Sequence, residues 1–163
     1  MKNLWAPWRM EYILGPKSKE CIFCLATDGV GADGLVLGVG RHTVVMMNKY
    51  PYNNGHLLIS PKRHLPTLEG LNDEELTELM KVVRYSVRVL KEVMNPEGFN
   101  VGLNLGEVAG AGIEEHLHFH VVPRWGGDTN FMTVLGDVRV IPEHIRATCA
   151  KLKPYFSDLE RVE

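Results

Sequence analysis

The chain has 163 residues and a formal net charge of −2, with 45% apolar and 23% charged residues. This fits one soluble globular domain with a real core, and excludes a general electrostatic attraction to nucleic acid or anionic membrane. No apolar run approaches a membrane span, and Met1-Lys2-Asn3-Leu4-Trp5 lacks the apolar core of a signal peptide, so a cytoplasmic protein is expected.

Residues 1–20 form an aromatic extension carrying Trp5, Pro7, Trp8, Tyr12 and Pro16. Its aromatic content suits packing across the domain or against a second subunit. Residues 21–163 are expected to make the domain itself. They open on Cys21-Ile22-Phe23-Cys24. In a reduced compartment an odd total of three cysteines argues against a disulfide framework. The Cys-x-x-Cys spacing is instead that of half a tetrahedral zinc site or of a redox pair. The glycine-rich stretch from Thr27 to Gly34 disfavours the redox role, which needs a helix after the motif.

Leu35–Val39 and Thr43–Asn48 read as strands turning at Gly40-Arg41-His42, and His56–Ser60 as a third strand ending at Pro61. His42 is expected to be solvated. A polar loop from Asn48 to Gly55 joins the second and third strands. The spacing predicts one long helix from Asn72 to Met94, with Asn72 and Glu75 as a capping box. Leu76, Leu79, Met80, Val83, Val87 and Leu90 are its expected buried stripe, and Lys81, Arg84, Arg88 and Lys91 its solvated face. Phe99–Leu105 is a fourth strand, and Gly106–Gly112 a loop of small residues able to present backbone N–H groups to an anion. A short closing helix is expected from Pro142 to Leu152, with Cys149 in the core and no partner named for His144.

The fifth strand carries the chemistry. His116, His118 and His120 alternate with Leu117, Phe119 and Val121, so an extended strand would put three imidazoles on one face and core on the other. A neutral imidazole can attack phosphorus near pH 7 without a separate base. His118, flanked on both sides, is the best candidate nucleophile. Three ligands to one catalytic metal is the rival reading, but the row spans about 13 Å at roughly 3.3 Å per residue, too long for bonds of about 2 Å. A nucleotide-binding module without catalysis is a further alternative, and it has no need for His118 between two imidazoles.

His116-Leu117-His118-Phe119-His120-Val121-Val122 resembles the His-φ-His-φ-His-φ-φ motif of the histidine triad (HIT) superfamily. Asn48-Lys49-Tyr50-Pro51, Gly55 to His64, Asn104-Leu105-Gly106 and Pro123-Arg124 fall in the family's order. The tail from Pro123 to Phe131 looks most like the fragile-histidine-triad branch and its dinucleoside polyphosphate phosphorylase relatives. The resemblance implies a single α+β domain, with an antiparallel sheet of about five strands. The long helix would pack opposite the histidines, and a short helix would close the chain.

It implies a nucleotide hydrolase or nucleotidyltransferase acting at the α-phosphate of a dinucleoside polyphosphate through a nucleotidyl-histidine; a nucleoside phosphoramidase is the alternative within the superfamily. His118 would be the nucleophile, His120 and Asn104 phosphate contacts, and His56 and His116 the rest of the catalytic cluster. Asn48 would lie at the ribose, Phe23 in the base pocket, and Gly110, Gly112 and Ile113 in the phosphate-side loop. Cys21, Cys24, His64 and His116 would hold a structural zinc, and the protein would be a homodimer. Hydrolases of the branch carry Gln where this chain has Asn104, and a second Gln near Ala111 or Gly112. The shorter side chains leave room in the acceptor site, so both water and inorganic phosphate stand as acceptors.

Overall fold

The computed structural model describes residues 20–28, 32–128, 141 and 143–162. The aromatic extension, but for its last residue Glu20, and the segment after Asp128 that includes Phe131 lie outside them. Within the described residues the chain runs α1 (Ile22–Thr27), β1 (Val36–Val39), β2 (Thr43–Met47), β3 (Leu57–Pro61), α2 (Asp73–Met94), β4 (Gly98–Leu103), β5 (Phe119–Arg124) and α3 (Ile145–Leu152). The five strands form one antiparallel sheet in the order β1-β2-β3-β5-β4. The α+β architecture is the expected one.

Alternation along the strands separates two layers. Val45, Met47, Leu57, Ile59 and Val121 face α2 and pack against its Leu79, Val82, Val83, Val89 and Leu90. Val44, Met46 and Leu58 face the other way, against Phe23 and Ala26 of α1. His120 pairs with Leu58 across the β3–β5 ladder, so it shares the α1 face. The long helix therefore lies opposite the histidines.

The helix begins where expected. Asn72 accepts from the Glu75 N–H at 2.9 Å, and Glu75 accepts in return from the Asn72 N–H at 3.0 Å. Its buried stripe is rotated from the expected one. Leu76 and Met80 are 42% and 46% exposed, while Glu75, Val82, Ser86 and Val89 take the inward positions. Polar character hid two of these. Glu75 is buried because Arg63 grips its carboxylate at 2.9 and 2.7 Å, and Ser86 returns its hydroxyl to the Val82 carbonyl at 2.8 Å. Lys81, Arg84, Arg88 and Lys91 are exposed, as expected.

His42 is only half-buried in its turn, where its N–H bonds Glu78 at 2.9 Å. His144 caps α3 by accepting from the Arg146 N–H, and Cys149 is buried in the core. The C-terminal turns close over β1. A Cβ on Gly38 would sit 2.0 Å from the Phe156 carbonyl oxygen, so only glycine admits this approach.

Candidate active site

Hydrogen bonding to each ring nitrogen gives the histidines different jobs. Strand β5 begins at Phe119, so only His120 of the three lies in the ladder. The expected row on one strand face is corrected at His116. The chain leaves the sheet there, and the Leu117 N–H bonds the Leu65 carbonyl at 2.7 Å. His116 turns toward the cysteines.

His118 is 5% exposed, and its Nδ1 lies 2.8 Å from the His116 carbonyl oxygen. A carbonyl only accepts, so Nδ1 carries the proton and Nε2 presents a lone pair. Burial lowers the basicity of His118, while the bond to the carbonyl opposes that shift. A neutral, oriented imidazole with a free Nε2 is what nucleophilic attack at phosphorus needs. The His120 ring flanks it at 4.9 Å between centroids, and Phe23 packs behind it at 4.9 Å.

His56 is fully buried, and its Nε2 lies 2.9 Å from His120 Nδ1. Burial first, then the neighbouring His120 and His118, push His56 down to about 3; burial and His118 push His120 to about 4. Both rings are thus neutral near pH 7. Among the described residues His120 Nε2 is buried without a hydrogen-bond partner. Such a group calls for a ligand.

His116 spends both nitrogens away from the reacting centre. Its Nε2 donates to the Pro61 carbonyl at 2.8 Å, which leaves the Nδ1 lone pair facing Cys21 Sγ at 3.2 Å and Cys24 Sγ at 3.7 Å. His64 Nδ1 is 3.3 Å from Cys24 Sγ. The ligand atoms of Cys21, Cys24, His64 and His116 all lie within 4.8 Å of one another. A tetrahedral zinc with bonds of about 2.0–2.3 Å separates its ligand atoms by about 3.3–3.8 Å. Two sulfurs, two imidazoles and a tautomer fixed by Pro61 suit that ion. Burial, then Cys21, raises the Cys24 thiol above its ordinary range, a penalty that a bound cation reverses by taking the thiolate. The group that His116 presents to His118 is thus its backbone carbonyl, not its ring.

The remaining expected residues divide. Phe23 is fully buried, and its ring packs against His116 and His118 at 5.1 and 4.9 Å. Asn48 is half-buried, and its amide is engaged with His56 Nδ1 at 3.2 Å. Asn104 makes a long 3.5 Å contact to the Gly110 carbonyl across the small-residue loop. Gly110 and Gly112 are exposed on that loop, and Ile113 is partly buried against the α1 layer. Tyr52 lies in the polar loop before β3, where the sequence predicts no site role for it. Its ring stacks on His120 at 5.6 Å and 11°, and packs on His56 at 4.6 Å. An aromatic four residues before a buried histidine was its only trace in the sequence.

The fold and the triad define a histidine triad protein. The HIT domain family model matches residues 32–127, and the chain belongs to that family. It is 43% identical over 157 residues to the AP-4-A phosphorylase of Mycobacterium tuberculosis, covering 91% of this chain and 80% of that one. It is 28% identical over 128 residues to the adenosine 5'-monophosphoramidase hnt1 of Schizosaccharomyces pombe, covering 78% and 92%. The structure of a Zn-bound histidine triad family protein from Mycobacterium smegmatis superposes with a TM-score of 0.67 at 25% identity, covering 83% and 92%. Among the described residues no helix is long and apolar enough to cross a membrane.

Proposed function

We propose that this chain is a dinucleoside polyphosphate phosphorylase, with diadenosine tetraphosphate as the favoured substrate. The observation that carries this is the His118 tautomer, fixed by the His116 carbonyl so that Nε2 alone can attack. His118 Nε2 bonds the α-phosphorus, the bond from phosphorus to the bridging oxygen breaks, and ATP leaves. His118 then holds a nucleoside monophosphate, with Nδ1–H still on the carbonyl to spread the positive charge. An oxygen of inorganic phosphate next attacks the same phosphorus, the P–N bond breaks, and ADP leaves. Asn104 in place of the longer Gln supports phosphate over water, as does the likeness to a phosphorylase.

Cys21, Cys24, His64 and His116 would hold a structural zinc, which would cross-link three distant parts of the chain. Gly110, Gly112 and Ile113 would line the phosphate side, and Asn104 and His120 would contact the transferred phosphoryl group. A cytoplasmic homodimer fits the free cysteines and the apolar side chains Val101 and Leu105, 45% and 42% exposed on and beside edge strand β4.

Product analysis tests the activity. Diadenosine tetraphosphate should yield ADP and ATP only when phosphate is present, and His118→Gly should lower turnover by about 10⁴-fold or more. AMP and ATP formed equally without phosphate would make it a hydrolase. Faster cleavage of adenosine 5'-phosphoramidate would move it to the phosphoramidases. Full activity in His118→Gly would remove the covalent mechanism.

A further inference from the structure

We propose that Asn48 is a positioning residue that, together with the Tyr52 N–H, sets the tautomers of the His56–His120 pair, and so turns an N–H of His120 toward the transferred phosphoryl group. The proposal rests on the nucleotidyl-transfer reading for its last step only.

The assignment starts from groups that have one possible role. A backbone N–H can only donate. The Tyr50 N–H meets Asn48 Oδ1 at 2.9 Å, which fixes the oxygen of the amide on that side. The Asn48 Nδ2 then faces His56 Nδ1 at 3.2 Å, as a donor. The Tyr52 N–H meets the same ring nitrogen at 3.0 Å. With two donors aimed at it, His56 Nδ1 accepts, and a neutral His56 carries its proton on Nε2. That N–H lies 2.9 Å from His120 Nδ1, which must accept in turn. A neutral His120 therefore carries its proton on Nε2, the buried nitrogen without a partner among the described residues.

The chain of donors thus runs in one direction, from the Asn48 loop through two imidazoles to a single N–H with no acceptor among the described residues. A phosphoryl oxygen beside His118 is an acceptor of the right kind. The reverse tautomer would show that oxygen a lone pair and repel it. Tyr52 stacks on His120 at 11° and packs at a tilt on His56, so both rings are held in the orientation in which His56 Nε2 meets His120 Nδ1. The loop that supplies Asn48, Tyr50 and Tyr52 is therefore more than a linker between β2 and β3. Asn48 was expected at the ribose; the geometry gives it a hold on the catalytic pair as well.

Asn48→Asp tests the direction of the chain. It keeps the shape and replaces a donor with an anionic acceptor against His56 Nδ1. The measurement is the imidazole ¹⁵N spectrum of histidine-labelled protein near neutral pH, without nucleotide. The native protein should show His56 and His120 both protonated on Nε2 alone. In Asn48→Asp, His56 should gain a proton on Nδ1. Turnover on diadenosine tetraphosphate should fall about 10- to 100-fold in Asn48→Ala, with KM moved less than kcat. A native His56 protonated on Nδ1 would overturn the proposal, as would native tautomers retained in Asn48→Asp. So would an Asn48→Ala enzyme with raised KM and unchanged kcat, which marks a plain sugar contact. The spectra need no substrate, so they fail or succeed independently of the proposed reaction.

Discussion

His56 is wholly buried beside two other imidazoles, and it can stay there only as a neutral ring. Its proton affinity therefore differs between the folded and unfolded chain. Unfolded, the ring takes a proton as pH falls through about 6.5. Folded, it refuses that proton until about pH 3. Below pH 6.5 the unfolded state binds more protons, so stability falls as the solution is acidified and is level above that point. One such group accounts for at most about 1.4 kcal/mol per pH unit in this window. His120, held near 4, adds to the same slope from a less enclosed position. Urea unfolding between pH 8 and 5 should show this decline, and His56→Asn should make it shallower. An equal slope in both proteins would mean that His56 titrates normally in the fold.

The start of α2 shows how far the sequence was readable at the scale of an element. Asn72 and Glu75 stand three residues apart before an apolar run, and the expected capping box is present on both sides. Asn72→Ala should cost about 1 kcal/mol in chemical denaturation. A loss below a few tenths would mean that Glu75 and Arg63 hold the helix start alone. The strands were legible for a similar reason, since their periodicity is local. Two things were not. The helix stripe was misaligned because Leu76 and Met80 look like core, whereas the inward Glu75 is made tolerable by Arg63, twelve residues earlier. The break between His116 and Phe119 was hidden as well, because alternation continues in the sequence after the ladder stops. His118 and the cysteine pair were readable as chemistry. The donor role of the Asn48–Tyr52 loop was not, because it depends on backbone N–H groups that every residue possesses.

At the scale of the molecule the four-residue cluster joins segments that are otherwise far apart. Cys21 stands at the N-cap of α1 and Cys24 within it, His64 follows β3, and His116 precedes β5, so separations of 95 and 40 residues are closed at one point. Sheet packing alone leaves α1 attached by a small apolar layer around Phe23 and Ala26. A zinc there would hold that layer to the sheet. It would also fix His116, whose carbonyl orients His118 at 2.8 Å. Metal loss is thus expected to reach the chemistry through the backbone as well as to weaken the fold. Purified protein should carry about one zinc per chain by metal analysis. Chelation or Cys24→Ser should lower Tm by about 5 °C or more, given about 2–4 °C per kcal/mol for a chain of this size. Turnover should fall through kcat, with nucleotide affinity nearly kept. Protein lacking bound zinc, with the Tm and kcat of Cys24→Ser equal to the native values, would reduce the cluster to ordinary packing. Loss of Tm with kcat unchanged would keep the structural ion and remove the link to His118.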